Sequence, residues 1–326
     1  MGFASLALVG GALAWFRSEA SSAAQNLEDV QIAAVAYVGS CPILMAHAMG
    51  YLANEGISAT IRFQENGKAA LAQVLDGKAG LATTAEFPVM YAAMSSKPVS
   101  VVATMTTMED HAILGRRDHG VIGPASLKGK RIGVSLGTTT QFFLDAFLNR
   151  QRLSAADVTV VDLKPIELND AIVRGNIDAV VVYQPFLDIS TASIGADAIV
   201  MSGEAVYDVL FTLAGTREYV RDHGKTIEKV LRATIRGARY CKDFPEEAAR
   251  TLADPMGADP AKLVKIWPSY QFEVTLRQGL LLTLEDEARW AIRNNLVPES
   301  GMPNFLEHLG LAPLQAVSPP AVTVIH

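Results

Sequence analysis

The sequence is poor in the residues from which metal and nucleotide sites are built. It holds two cysteines and six histidines among 326 residues, and the histidines are scattered without the spacing of metal ligands. The stretch from Gly123 to Lys130 has one residue too many before its Gly-Lys pair, and Arg131 stands where a phosphate-binding loop needs serine or threonine. The sequence therefore predicts no metal, no nucleotide site and no cofactor.

Charge is also sparse. The 28 basic and 34 acidic residues give a net charge of -6, with no basic run suited to a phosphate backbone, so nucleic acid is not an expected partner. Half of the residues are hydrophobic, and the length is sufficient for two domains with a core each. Cys41 lies in a predicted cleft loop and Cys241 in a predicted C-terminal helix, so we expect two free, mostly buried thiols.

The N-terminal segment differs from the rest of the chain. Residues 3–16 form the apolar run FASLALVGGALAWF, which is shorter than the roughly 20 residues of a spanning helix and is followed by the small-residue stretch EASSAAQ. We expect residues 1–25 to be a signal peptide that is cleaved near Ala24, which predicts a periplasmic protein. The alternative is that residues 3–16 remain as a membrane anchor, which would suit a solute sensor.

One pattern of elements occurs twice, first from Ile32 to Pro88 and again from Arg131 to Pro185. Along each copy the predicted order is strand, polar loop, helix, strand, helix and strand. A glycine ends the second helix, and a polar residue followed by a proline comes after the last strand. The closing glycines are Gly77 and Gly175. Two similar α/β lobes imply a cleft between them, and ligands bind outside the carboxyl ends of the strands in such sheets.

The element boundaries follow from hydrophobic periodicity. Strands are predicted at 31–37, 58–63, 79–85, 99–105, 112–114, 131–134, 158–161 and 179–182, and helices at 42–54, 68–75, 89–94, 140–151 and 168–173. This alternation predicts parallel βαβ units. The remainder looks helical at 226–241, 245–252, 260–266 and 276–294, with a loosely ordered tail from Pro313. Crossings near 106–111 and 208–214 predict a first lobe of 26–107 plus 212–326 and a second of 108–211.

The loop after the first strand of the second repeat is a candidate anion site. Its three threonines, Thr138, Thr139 and Thr140, precede a helix, so they can cap that helix while its free N–H groups point into the cleft. Plain capping of the helix is the alternative interpretation.

Glu86 ends the last strand of the first repeat, where the cleft is expected. It either faces the ligand or makes a structural contact at the hinge or helix start. If it faces the ligand, a bare anion about 5 Å away would be repelled by roughly 3 kcal/mol at an effective dielectric near 20. This repulsion exceeds the roughly 0.3 to 2 kcal/mol by which a helix N-terminus stabilises an anion. A zwitterion, an amine or a neutral nitrogen heterocycle is then the expected solute.

Other candidates lie beside the predicted strand ends. Tyr37, Tyr183 and Phe87 can pack on a ligand or line the core, and Gln184 offers both a donor and an acceptor. Ser135 lies in Gly-Val-Ser-Leu-Gly, which matches the nucleophile elbow of esterases and leaves a hydrolase as an alternative.

Four stretches together resemble the periplasmic solute-binding proteins of ABC importers of the sulfonate, nitrate and taurine type, which have relatives that bind thiamine pyrimidine precursors. They are MAHAMGYLANEGISATIRF, GKAGLATTAEFP, SLKGKRIGVSLGTTTQFFLDAFL and GNIDAVVVYQPF, and the likeness extends from about residue 30 to 310. The resemblance implies a type II periplasmic-binding-protein fold, in which two α/β lobes joined by two hinge crossings enclose a ligand cleft.

The same resemblance implies the function and a ligand shell. The protein would bind a small organic solute, either a sulfonate or taurine-like zwitterion or a nitrogen-containing compound, and deliver it as a monomer to a membrane permease without catalysis. The shell carried over by position comprises Gly39, Ser40, Cys41, Glu86, Thr138, Thr139, Thr140, Tyr183 and Gln184. None of these positions is an arginine or lysine, which disfavours a simple anion. An intracellular enzyme of pyrimidine biosynthesis is a further alternative, and it would need histidines or cysteines in the cleft.

Overall fold

The computed structural model describes residues 27–203, 206–297 and 301–325. The strands of these residues are β1 (Glu28–Val35), β2 (Ile57–Gln64), β3 (Leu81–Ala85), β4 (Val99–Met108), β5 (Ala112–Arg116), β6 (Arg131–Val134), β7 (Thr159–Asp162), β8 (Ala179–Val182), β9 (Ala198–Ser202), β10 (Val209–Thr216), β11 (Tyr270–Arg277) and β12 (Val322–Thr323). The α-helices are α1 (Cys41–Ala48), α2 (Tyr51–Asn54), α3 (Gly67–Leu75), α4 (Glu86–Met94), α5 (Thr139–Arg150), α6 (Pro165–Val173), α7 (Phe186–Ile194), α8 (Arg217–Asp222), α9 (Gly224–Asp243), α10 (Pro245–Met256), α11 (Pro260–Ile266), α12 (Gln278–Arg293) and α13 (Leu311–Val317).

The strands form two sheets, which define two lobes. Lobe 1 has a seven-stranded sheet in the order β12-β11-β4-β10-β3-β1-β2, and lobe 2 a five-stranded sheet in the order β7-β6-β8-β5-β9. In lobe 1, β1 pairs in parallel with β2 and β3, and in lobe 2, β6 pairs in parallel with β7 and β8. The two copies of the sequence repeat are therefore the parallel βαβ cores of the two lobes.

The closing glycines of the repeat adopt a left-handed backbone. Gly77 follows α3 with φ of 71° and Gly175 follows α6 with φ of 74°. A residue with a side chain is strained at such a φ, so glycine is the residue that ends a helix here and turns the chain back into the sheet. This local signal is why the repeat could be recognised in the sequence.

The chain crosses between the lobes twice. It leaves β4 in lobe 1 and enters β5 in lobe 2 through residues 109–111, and it returns from β9 in lobe 2 to β10 in lobe 1. β10 pairs with β3 and β4 in antiparallel fashion from Val209 onward. The lobe limits at 107/108 and 211/212 stay a prediction.

The C-terminal part is less helical than expected. β11 pairs antiparallel with β4 and parallel with β12, and the tail from Pro313, expected to be loose, contributes α13 and β12. The strand β11 buries Tyr270, Phe272, Val274 and Leu276. This alternation is a strand pattern, so the wholly helical interpretation of the region was wrong.

The expectation of free thiols is also wrong. Cys41 at the start of α1 and Cys241 near the end of α9 form a disulfide, with their Cα atoms 6.3 Å apart. The two helices lie in direct backbone contact, because a Cβ on Gly237 of α9 would lie 1.9 Å from the Pro42 carbonyl oxygen. The two cysteines are 200 residues apart in the sequence, so no local pattern could predict this close packing.

Residues 1–25, for which a signal peptide or anchor is predicted, lie outside the described residues. Across 27–203, 206–297 and 301–325, no helix is long and apolar enough to cross a membrane.

Candidate functional site

A cavity of about 60 Å³ lies between the two lobes. Lobe 1 contributes Val35 and Tyr37 at the end of β1, and β10 contributes Val209 and Phe211. Lobe 2 contributes its lining from the loop after β6, from the start of α6 and from Tyr183 after β8. The cavity thus lies at the carboxyl ends of the parallel strands, as the repeat predicts.

Helix starts from both lobes meet at this cavity. From lobe 1, Asn66 caps α3 by accepting the Ala69 N–H at 2.9 Å, and Asn66, Gly67 and Lys68 all line the cavity. A Cβ on Gly67 would lie 2.7 Å from Thr84 Oγ1, so glycine allows the helix start to pack against β3. Pro88 of α4 and Pro165 of α6 line the cavity near the starts of their helices. N–H groups at helix starts favour negative charge, so the cavity suits an anion.

The threonine loop lies at the lobe 2 side, but the threonines do not cap α5 as predicted. The hydroxyls of Thr138 and Thr140 both donate to the Ser135 carbonyl, at 2.7 and 3.2 Å. The helix has no side-chain cap bond at Thr138, and the Gln141 N–H donates to the Thr138 carbonyl at 3.1 Å. Within the described chain the N–H groups of Thr139 and Thr140 have no backbone partner, so they remain as donors for a ligand.

Lys68 adds a positive charge that the sequence analysis did not place in the cleft. Its amine donates to the Leu136 carbonyl at 3.4 Å, which connects α3 of lobe 1 to the loop after β6 in lobe 2. The residue is exposed at the cavity rim. The absence of lysine from the predicted shell therefore does not disfavour an anion.

Asp110 organises the cavity wall from the first crossing. Its side chain is buried and accepts hydrogen bonds from the hydroxyls of Tyr37 and Tyr270, the latter at 2.6 Å. The pKa of each tyrosine is raised well above the usual range for tyrosine, chiefly by burial and secondly by the charge of Asp110. Both hydroxyls therefore stay protonated at neutral pH and hold the carboxylate in place.

His111 lines the cavity beside Asp110, and the sequence analysis missed it as a site residue. Its Nδ1 lies 3.0 Å from Asp110 Oδ1, and its Nε2 lies 3.4 Å from the Thr139 hydroxyl. The signal available in the sequence was its place in the predicted first crossing, where an acid and a histidine adjoin. The cleft therefore holds a histidine at the first crossing between the lobes.

Five of the predicted site residues line the cavity, namely Tyr37, Thr138, Thr139, Thr140 and Tyr183. The rings of Tyr37 and Tyr183 contact each other across the lobes with centroids 5.4 Å apart. Tyr183 also packs at 5.4 Å on the ring of His111. That these residues contact a ligand stays a prediction.

The other predicted residues point elsewhere. The Gly39 carbonyl accepts the Thr106 hydroxyl at 2.9 Å, the Ser40 hydroxyl contacts that of Thr83 at 3.0 Å, and Cys41 is in the disulfide. Gln184 donates from Nε2 to Asp188 at 3.0 Å. None of these four residues lines the cavity, and the chain after β1 turns into the core at Val38 to Ser40.

Glu86 does not line the cavity either. It is fully buried at the start of α4, where its Oε2 accepts the Leu210 N–H at 2.8 Å. Its carboxyl group lies beside that of Glu287 in α12, which is also buried and accepts the Tyr207 hydroxyl at 2.7 Å. Burial raises the pKa of Glu86 to about 8 and that of Glu287 well above its usual range. The raised pKa values favour the neutral form of both carboxyl groups, so the predicted repulsion of an anion by ionised Glu86 does not apply.

Ser135 lines the cavity, but its hydroxyl donates to the Leu163 carbonyl at 2.7 Å. No described imidazole bonds to it, and the described residues hold no cluster of three ligands suited to a metal ion. The arrangement can bind a small ligand, and Ser135 lacks the adjacent base that an esterase requires.

The fold defines the class of protein: two α/β lobes around a cavity form the periplasmic-binding-protein fold. The periplasmic aliphatic sulphonate binding protein SsuA from Escherichia coli matches with a TM-score of 0.74 and 18% identity, over 86% of this chain and 97% of that chain. The alkanesulfonate-binding protein SsuA from Xanthomonas axonopodis pv. citri, solved with bound MOPS, matches with a TM-score of 0.74 and 18% identity, over 91% of this chain and 98% of that chain. The nitrate-binding protein NrtA from Synechocystis PCC 6803 matches with a TM-score of 0.74 and 11% identity, over 90% of each chain. At these identities the likeness shows the fold.

The chain belongs to the family described as NMT1/THI5 like, whose sequence model matches residues 38–248. A relative from Bacillus subtilis (strain 168), named as a proposed aliphatic sulfonates-binding protein, is 27% identical over 149 residues. That match spans 45% of this chain and 44% of the relative, less than half of either. The predicted resemblance to the sulfonate and nitrate type of binding protein is confirmed.

Proposed function

We propose that this protein is the solute-binding component of an ABC importer and that its solute is a small organic anion of the alkanesulfonate type. The observation that carries the proposal is the meeting of helix starts from both lobes at one cavity. Thr139 and Thr140, whose N–H groups have no backbone partner in the described chain, line the same cavity as Lys68 and the start of α3 from the opposite lobe. An anionic head group can accept hydrogen bonds from both lobes at once.

The rest of the cavity suits an apolar tail. Val35, Leu168, Val209 and Phe211 contribute hydrocarbon surface, and the ring of Tyr37 lies against Phe211 with centroids 5.4 Å apart. Each buried methylene group of a solute contributes about 0.8 kcal/mol, and each hydrogen bond to a charged group about 1.5 to 3 kcal/mol. A head group on helix starts and a short tail on aromatic rings together favour an organic anion over nitrate. A taurine-like zwitterion remains within this class, whereas the Glu86 argument for an amine no longer applies.

The export and delivery parts of the proposal have separate support. A disulfide between buried cysteines is expected in an oxidising compartment such as the periplasm, and the periplasmic proteins named above share the fold. The permease partner, the monomeric state and the cleavage of residues 1–25 stay predictions. The alternative of a membrane-anchored solute sensor differs from this proposal in that residues 3–16 would remain as an anchor instead of being cleaved off.

Binding of solutes to the purified protein tests the proposal. We expect butanesulfonate and methanesulfonate to raise the midpoint of thermal unfolding, by an amount equivalent to about 2.7 kcal/mol at 100 times the dissociation constant. Lys68→Met should weaken butanesulfonate affinity about tenfold, or ~1.4 kcal/mol, because it removes the cation at the rim. Lys78→Met is the matched control, since Lys78 pairs with Asp76 beyond the other end of α3.

Two outcomes would count against the proposal. If no sulfonate shifts the midpoint while an amine or heterocycle does, the solute class is wrong. If Lys68→Met and Lys78→Met bind butanesulfonate equally well, the head group does not lie at the start of α3.

A further inference from the structure

His111 and Asp110 form a buried pair in the segment that crosses from β4 to β5. Their side chains are 5% and 1% exposed, and ring Nδ1 lies 3.0 Å from Asp110 Oδ1. Because a carboxylate oxygen can only accept, Nδ1 carries the hydrogen in this contact. The atom left for the cavity is Nε2, which lies 3.4 Å from the Thr139 hydroxyl at the start of α5.

The groups around this ring come from several elements. Asp110 is held by Tyr37 after β1 and Tyr270 of β11, while Tyr183 after β8 and Phe143 of α5 pack on the ring with centroids 5.4 and 5.5 Å away. Burial and the Asp110 charge raise the pKa of Tyr183, as they do for Tyr37 and Tyr270. The three hydroxyls therefore do not titrate between about pH 5 and 8, the range in which imidazole does. Among the described residues, Lys68 is the remaining charged group that lines the cavity.

We propose that the cavity takes up one proton together with its anionic solute and that His111 Nε2 holds this proton. The proposal rests on the proposed function. Without solute, Nδ1–H donates to Asp110, and Nε2 has no anionic partner among the described residues. A bound anion supplies that partner, so Nε2 takes a proton from solvent and donates it to an anionic oxygen of the solute. No bond within the solute is formed or broken.

Linkage gives the direction of the pH dependence. Because the anion binds the protonated ring better, affinity is highest at acidic pH and falls, by up to about tenfold per pH unit, as the free protein loses that proton. Asp110 supports this role by fixing Nδ1–H and thereby presenting Nε2 to the cavity. His111 is thus a specificity residue that favours solutes with an anionic acceptor.

Calorimetric titration with butanesulfonate near pH 7, in two buffers of different ionisation enthalpy, measures the protons taken up per solute. A sulfonate stays ionised at this pH, so any proton belongs to the protein. We expect an uptake approaching one proton in the wild type and none in His111→Gln, which keeps a neutral N–H donor and still binds. His119→Gln is the matched control, since His119 contacts Asp178 at 2.9 Å without lining the cavity.

Glu86 is the competing acceptor of the proton, since burial raises its pKa to about 8, close to the pH of the titration. Glu86→Gln should therefore keep the uptake if His111 is responsible. Binding without uptake in the wild type, or uptake that persists in His111→Gln or is lost in Glu86→Gln, would overturn the inference and leave the proposed function standing. Failure of every sulfonate to bind between about pH 5 and 8 would overturn both.

A measurement on the wild type covers the case in which His111→Gln does not fold. The ring nitrogen signals of His111 in nuclear magnetic resonance should change from the neutral form to the imidazolium when butanesulfonate saturates the protein. A ring that stays neutral in the complex would overturn the inference.

Discussion

At the scale of single residues, Glu86 shows what position along the chain does and does not determine. The sequence places it at the end of a strand, and in the structure it follows β3 directly as the first residue of α4. The direction of its side chain depends on Leu210 and Glu287, which lie more than a hundred residues further along the chain. A local pattern could not reveal that the carboxyl group is buried behind the cavity wall.

This burial predicts a pH-dependent stability. The pKa of Glu86 is about 8 in the folded protein, against roughly 4.3 in an unfolded chain, so between these values the folded state binds more protons than the unfolded state. Stability should therefore fall as pH rises from about 5 to 8. We expect urea unfolding of Glu86→Gln to lose less stability over this range than the wild type, because the amide cannot ionise.

The matched control is Glu65→Gln, at an exposed position after β2. It should keep the pH dependence of the wild type. Equal slopes for Glu86→Gln and the wild type would show that Glu86 is not the group whose titration weakens the fold.

At the scale of helices and strands, the sequence predicted the repeated βαβ units best. Those units have regular periodicity and a glycine after the second helix, at Gly77 and Gly175, and both signals are local. The antiparallel strands β9 and β11 were missed, although β11 alternates buried and exposed residues over its first half. β9 pairs with β5 and β11 pairs with β4, and both partners lie far away in the sequence, so no local repeat indicated these strands.

The contact of α1 with α9 predicts the role of the disulfide. Replacing both cysteines, Cys41→Ser with Cys241→Ser, should lower the free energy of unfolding by about 2 to 4 kcal/mol, because the link constrains the unfolded chain. Urea unfolding with and without a reductant measures this. The reductant should bring the wild type to the level of the double variant and leave the variant unchanged, whereas a variant as stable as the oxidised wild type would contradict the assignment.

At the scale of the whole molecule, the two lobes contact each other on several sides of the cavity. Phe142 of α5 in lobe 2 packs against Trp290 of α12 in lobe 1 with ring centroids 5.3 Å apart, and the Trp290 Nε1–H donates to Asp145 at 2.5 Å. Lys68 and the Tyr37–Tyr183 pair add contacts between the lobes. This is a closed arrangement, and a solute would favour it only by its higher affinity for the closed state. The sequence could not predict these contacts because they depend on how the lobes are oriented.

The central claim is that a small organic anion binds between the lobes at the helix starts. A crystal structure of the protein grown with butanesulfonate tests this most directly. We expect the sulfonate oxygens within hydrogen-bonding distance of the Thr139 and Thr140 N–H groups, with His111 Nε2 and Lys68 beside them and the tail against Tyr37 and Phe211. An empty cavity in a protein that binds butanesulfonate in solution, or a sulfonate bound outside the cavity, would contradict the account.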